Sequence, residues 1–197
     1  MRQTKVHNLI ILDESGSMSS IKSQVISGFN QTINTIREAQ QTFSDQEHTI
    51  SIISFNGFGI KMLHFCDPVA QVREINSKRY APAAATPLYD AIGFAVSKLK
   101  LVASQDEKFY VLVTILTDGE ENASTEYSAP AIRQMIGELS ESNWTFTYIG
   151  TDHDVSKAAA DIAVKNSISF EKNCDGIETM FREERKVRKS IYQKIFG

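Results

Sequence analysis

The chain has 197 residues, 42% hydrophobic and 23% charged, with a formal net charge of −3 and a pI near 5.8. That length supports one domain with a sizeable core, and the slightly acidic balance offers no basic field for nucleic acid. The apolar runs are strand-sized, short of the ~20 residues a membrane helix needs, and MRQTKVHNLI lacks a signal peptide's apolar core, so a cytoplasmic location is expected.

In chain order, Val6 to Leu12 reads as a buried strand, a near-continuous apolar run bounded by polar residues. A helix is expected from Ser17 to about Gln40, because Ile21, Val25, Phe29, Ile33 and Ile36 recur at helical spacing on one face. HTISIISF (48–55) and IKMLHFC (60–66) read as strands joined through NGFG, a hairpin that supplies one antiparallel edge. A short helical turn is expected around Val72, then the loop NSKRYAPAAATP. Pro87 suits a first helical turn, and Leu88 to about Val102 continues as helix. FYVLVTIL (109–116) is the most apolar strand and belongs at the sheet centre. A loop, TDGEENAST, leads to a helix near Ala129 to Leu139, a strand from Trp144 to Gly150, a helix over 154–164 and an edge strand at 168–170. From about Asp175 the chain is helical and highly charged. Strands alternating with helices through short loops predict an α/β fold, a mostly parallel sheet with helices on both faces.

In such sheets ligands collect beyond the carboxyl ends of the central strands. LIILDESGSM delivers Asp13, Ser15 and Ser17 at alternate positions as the first strand turns into a helix, with Gly16 expected to allow the tight bend. Thr86 precedes the helix that begins near Pro87, and Asp118 follows the central strand. Two carboxylates and three hydroxyls from three loops make an all-oxygen set, suited to a hard divalent ion such as magnesium. At about 5 Å and an effective dielectric of ~20, two bare carboxylates would repel by roughly 3 kcal/mol. A divalent ion removes that repulsion. Held by only two acids, it is neutralised and no more, and still attracts an anionic ligand.

At these residues the sequence resembles the von Willebrand factor A (vWA) domain family and its metal-ion-dependent adhesion site, D-x-S-x-S followed by a distant threonine and a distant aspartate. The resemblance covers nearly the whole chain and implies a three-layer, Rossmann-like fold over 1–197. It implies direct metal contact by Ser15 and Ser17, with Thr86 and Asp118 contacting directly or through water, and Asp13 acting through water. Magnesium or manganese is the implied ion, with calcium an alternative. An Asp or Glu of a protein partner fills the remaining position. The chain looks most like bacterial cytoplasmic stand-alone members, including those associated with tellurium resistance.

Other readings are weaker. A haloacid-dehalogenase-type phosphotransferase needs a second acid where Ser15 stands, a serine hydrolase needs G-x-S-x-G, and a P-loop needs G-x-x-x-x-G-K. A binding module is therefore expected rather than an enzyme, the alternative being a scaffold in which the metal is structural. By alternation Glu14 points away from the site, as a solvated or supporting acid. Asp90 is either a support of the metal loop or a helix-start charge, Asn122 and Ser124 are candidates to order the loop after Asp118, and Glu120, Glu121 and Glu126 are candidates for an acidic rim. His153 reads as a loop residue, and His7, His48 and His64 as packed or edge residues. Cys66 and Cys174 read as reduced, packed thiols. In the C-terminal segment Ile177, Met180 and Phe181 can close the core. The second cluster, Ile191, Tyr192, Ile195 and Phe196, either packs on the same domain or docks on another chain.

Overall fold

The computed structural model of the chain describes residues 3–151 and 153–196. One sheet of six strands has the order β3-β2-β1-β4-β5-β6, with β1 Thr4–Asp13, β2 Gln46–Asn56, β3 Gly59–Pro68, β4 Phe109–Leu116, β5 Trp144–Gly150 and β6 Asn166–Ser169. Every neighbouring pair is parallel except β2–β3, the antiparallel hairpin expected from NGFG, which turns through Gly57 and Phe58. The order reverses at β1, whose neighbours are β2 on one side and β4 on the other. That switch point opens a crevice at the strand C-termini.

The helices are α1 Lys22–Thr42, α2 Leu88–Ala103, α3 Ala129–Ser140, α4 Val155–Asp161 and α5 Cys174–Phe196. Side chains alternate across β1. Val6, Ile10 and Leu12 join a core with α1 and α5, while Leu9 and Ile11 join a second core with α2, α3 and α4. This double burial is why β1 reads as an unbroken apolar run. Ile21, Val25, Phe29, Ile33 and Ile36 are all buried.

Three boundaries differ from expectation for local reasons. Residues Gly16–Ile21 form a 3-10 turn before α1 instead of its first turns, with Met18 and Ile21 pointing into the core. The short helical turn expected around Val72 is a 3-10 turn over Val69–Gln71, with Val72 closing it. The helix α4 stops at Asp161 because Ala163 is left-handed, at φ 62°. There Val164 N–H donates to Ala159 O and Ala163 N–H to Ala160 O, a Schellman stop normally built on glycine.

The helix α5 lies along the domain. Ile177, Met180, Phe181 and Tyr192 are buried in one core, and Ile191 and Ile195 pack against it. The side chain of Phe196 lies outside the described structure. Gly28 of α1 leaves room for Phe181, whose ring occupies the space a Cβ would take. Between these clusters the charged run places Glu184 and Arg188 beneath the helix, 4% and 2% exposed, against β1 and β4.

Candidate metal centre

The register places Leu12 of β1 beside Leu116 of β4, so the residues that follow each strand meet. Asp13, fully buried, accepts the Thr117 hydroxyl on Oδ2 at 2.6 Å and the Ser15 backbone N–H on Oδ1 at 2.6 Å. The 3-10 turn then brings Ser17 Oγ to 3.1 Å from Ser15 Oγ, and Ser17 donates to Asp118 Oδ1 at 2.6 Å. Asp13, Ser15, Ser17 and Asp118 thus form one continuous chain of hydrogen bonds. The other carboxylate oxygen of Asp118 lies 2.7 Å from Nζ of Lys172 in an ion pair, without the geometry of a directed hydrogen bond.

Thr86 arrives through its backbone. Ala83 N–H donates to Glu14 O and Gly16 N–H to Ala84 O, at 2.9 and 3.0 Å. Thr86 N–H donates to Asn122 Oδ1 at 2.9 Å, and Asn122 N–H returns to Thr86 O at 3.2 Å. The loop carrying Thr86 is therefore clasped between those carrying Ser15 and Asp118. Gly16 is not the tight point, because a Cβ there would meet Ala84 O at an ordinary 3.5 Å. The close approach is at Gly57, where a Cβ would lie 2.9 Å from Ala85 N.

Glu14 is not solvated. It is fully buried, and its Oε1 accepts Ala81 N–H at 2.5 Å and Lys61 Nζ at 2.9 Å, tying the site's first loop to β3 and to the loop before α2. Asp90 accepts the N–H groups of Thr125, Glu126 and Tyr127 at 2.8–2.9 Å, so it orders the loop after Asp118. Ser124 Oγ accepts Asp90 N–H. Glu121 does not belong to a rim, since its carboxylate accepts Tyr89, Ala123 and Ser124 N–H groups. Glu120 and Glu126 are the exposed acids there.

Several contributors carry no sequence pattern. Lys172 lies in the β6–α5 connector. Tyr80, fully buried, donates its hydroxyl to Asp13 O at 2.8 Å from within a polar loop. Phe58, 84% exposed, crowns the β2–β3 hairpin next to Gly57, which is the residue that abuts Ala84 and Ala85. His153 bonds Thr151 O and the Tyr148 hydroxyl, and His7, His48 and His64 bond within the fold. Both cysteines are free, but Cys174, at the start of α5, is exposed rather than packed, and its Sγ accepts Gln24 Nε2 at 3.0 Å.

Burial raises the Asp13 carboxyl above its ordinary value. Hydrogen bonds from Thr117 and Ser15 oppose that shift, and the Asp118 charge adds to it. A buried acid held up in this way favours a nearby cation, and Lys172 supplies a positive charge beside Asp118. Among the described residues no group of three or more His, Cys, Asp or Glu is placed to hold a metal. The oxygens at this point come from two acids and from hydroxyls, a set that fits a hard divalent ion. Asp13, Ser15, Ser17, Thr86 and Asp118 are the residues that would hold it.

Solved structures of similar fold include a vWF domain of the type V pilus tip protein Mfa5 from Porphyromonas gingivalis, with TM-score 0.60, 9% identity and 96% of each chain covered. The chain has a vWA-like fold. The pilus adhesin SpaC of Lactobacillus rhamnosus GG aligns at TM-score 0.62 and 13% identity, and proximal thread matrix protein 1 of the mussel byssus at 0.61 and 14%. This vWA-like chain is covered to 94% in both, yet spans only 30% of SpaC and 46% of the mussel protein. No protein-family model matches the sequence, and comparison with curated proteins gives no match.

Proposed function

We propose that this vWA-like domain is a divalent-metal-dependent protein-interaction module that captures an Asp or Glu side chain of a partner. One observation carries the reading: hydroxyl and carboxylate oxygens of the loops after β1 and β4 meet at the switch point of the sheet, and among them are two buried carboxylates, one of them paired with an ammonium. Magnesium or manganese is the proposed ion, and when bound it supplies a Lewis-acidic centre for an anionic ligand. The chain's own residues fix the geometry. Thr117 and Ser15 N–H orient Asp13, Ser17 orients Asp118, and the Asn122 clasp holds Thr86 between them.

Binding rather than catalysis is supported by the company the serines keep. They bond to each other and to Asp118 instead of to an imidazole that could take a proton. Phe58 on the adjacent hairpin tip offers a partner an exposed aromatic surface next to the site, the kind of anchor on which interface energy concentrates. The fold neighbours from pili are consistent with a role in protein contacts. A cytoplasmic setting in a bacterial stress or assembly pathway is part of the proposal, supported by two free thiols, one exposed.

The test is calorimetric titration of a short Glu-containing peptide with magnesium or with a chelator. Binding should require the metal and be lost in Thr86→Ala while the melting temperature of that variant stays close to wild type. Equal peptide binding with chelator would refute the reading. A metal that stabilises the fold without any peptide binding would favour the scaffold alternative.

A further inference from the structure

The Lys172–Asp118 pair brings an ammonium from outside the three loops onto a predicted metal ligand. Nζ stands 2.7 Å from Oδ2, with the lysine side chain 22% exposed and the carboxylate fully enclosed. The connector that delivers it is braced on both sides. Phe170 N–H donates to Gly150 O at 3.1 Å, Asn173 N–H donates to Glu171 O at 2.8 Å, and Asn173 Oδ1 caps α5 by accepting Gly176 N–H at 2.8 Å. The backbone is thus fixed, while the ammonium rides on a flexible four-carbon stem that reaches solvent. It can leave without moving the main chain.

We propose that Lys172 is a built-in cation that competes with the divalent ion for Asp118 and so sets the metal affinity of the site. The inference rests on the metal-dependent reading above. Asp118 has one oxygen engaged by Ser17 and the other by Lys172. The carboxylates of Asp13 and Asp118 with this ammonium carry a formal charge of −1, so an added divalent ion takes the group to +1 if the ammonium stays. The two cations then repel. If the ammonium withdraws instead, the ion pair is lost. Both routes weaken metal binding. The first also leaves a positive site that an incoming carboxylate relieves, which makes metal and acidic ligand bind cooperatively, each strengthening the other by the same factor.

The test is titration of the 197-residue protein with manganese alone, read by calorimetry and by the EPR signal of the free ion, for wild type, Lys172→Met, Lys172→Arg and Asp118→Ala. Lys172→Met should bind manganese about tenfold more tightly than wild type, and Lys172→Arg should stay near wild type. A melt in chelator shows that each variant is folded. The manganese-induced rise in melting temperature should be larger for Lys172→Met than for wild type. Unchanged affinity in Lys172→Met overturns the inference, and weaker affinity overturns it by showing that the lysine positions Asp118 for the ion. Wild-type binding that disappears in Asp118→Ala keeps the metal reading intact in either case. Binding seen only in Lys172→Met supports the inference, and no binding in any variant overturns both.

Discussion

Replacing Arg188 by Met should cost this fold more than any surface change, although Arg188 sits in a run that looks solvated. The guanidinium donates to Glu184 Oε1 through Nε at 2.8 Å and Nη2 at 2.5 Å, to Asn8 Oδ1 at 2.7 Å and to Thr114 Oγ1 at 2.8 Å. Burial alone would lower the Arg188 pKa. The Glu184 carboxylate more than reverses this and holds the arginine charged. Removing it leaves the buried Glu184 without its counter-charge, a change that costs about 3–5 kcal/mol. For a chain of this size that is a fall of roughly 10 °C in melting temperature. Urea unfolding followed by circular dichroism measures it. The double variant Glu184→Leu/Arg188→Met should recover at least half of the loss, since apolar replacement of a whole buried pair is often nearly neutral. The recovery stops short because Asn8 and Thr114 lose a partner. A single Arg188→Met variant within about 1 kcal/mol of wild type would refute the reasoning, because a worthwhile buried pair cannot be broken so cheaply.

Burial and the nearby Arg188 push His48 down to about 4. Because this folded value lies below the unfolded one, the contribution is complete above pH ~6.5 and is lost as pH falls toward 4, about 3 kcal/mol in all. Denaturation midpoints measured between pH 7 and 4 should therefore fall less steeply for His48→Leu than for wild type, and parallel curves would contradict the assignment. Truncation after Lys189 removes the fully buried Tyr192 with the packed Ile191 and Ile195 and should cost about 3 kcal/mol or more in a denaturant titration.

The strand–helix alternation was legible because the four central strands, β1, β2, β4 and β5, are buried on both faces, and β4 and β5 begin and end where the apolar runs do. The convergence of Asp13, Ser15, Ser17 and Asp118 was legible from strand ends alone, since parallel order forces those ends together. The parts that were hidden share a cause: they depend on tertiary partners. A sequence does not announce that Ala163 will take a left-handed stop usually given to glycine. Nor does it show that Glu14 will be buried behind Lys61, or that the polar face of α5 will carry a buried ion pair. In FREERKVRK, Glu184 and Arg188 stand four apart, the spacing of an ordinary surface pair, and only the packing of α5 on β1 and β4 distinguishes them. Lys172 had no motif at all, because its role is set by where the β6–α5 connector passes.

The central claim, that these oxygens hold a divalent ion, is tested most directly by the melting temperature of wild type and Asp118→Ala with and without magnesium at neutral pH. An ion that binds only the folded state at a hundredfold excess over its Kd stabilises by about 2.7 kcal/mol. The wild-type melt should then rise by roughly 5–10 °C, while Asp118→Ala should show little or no rise. A wild type indifferent to magnesium, or an equal rise in both proteins, would contradict the account.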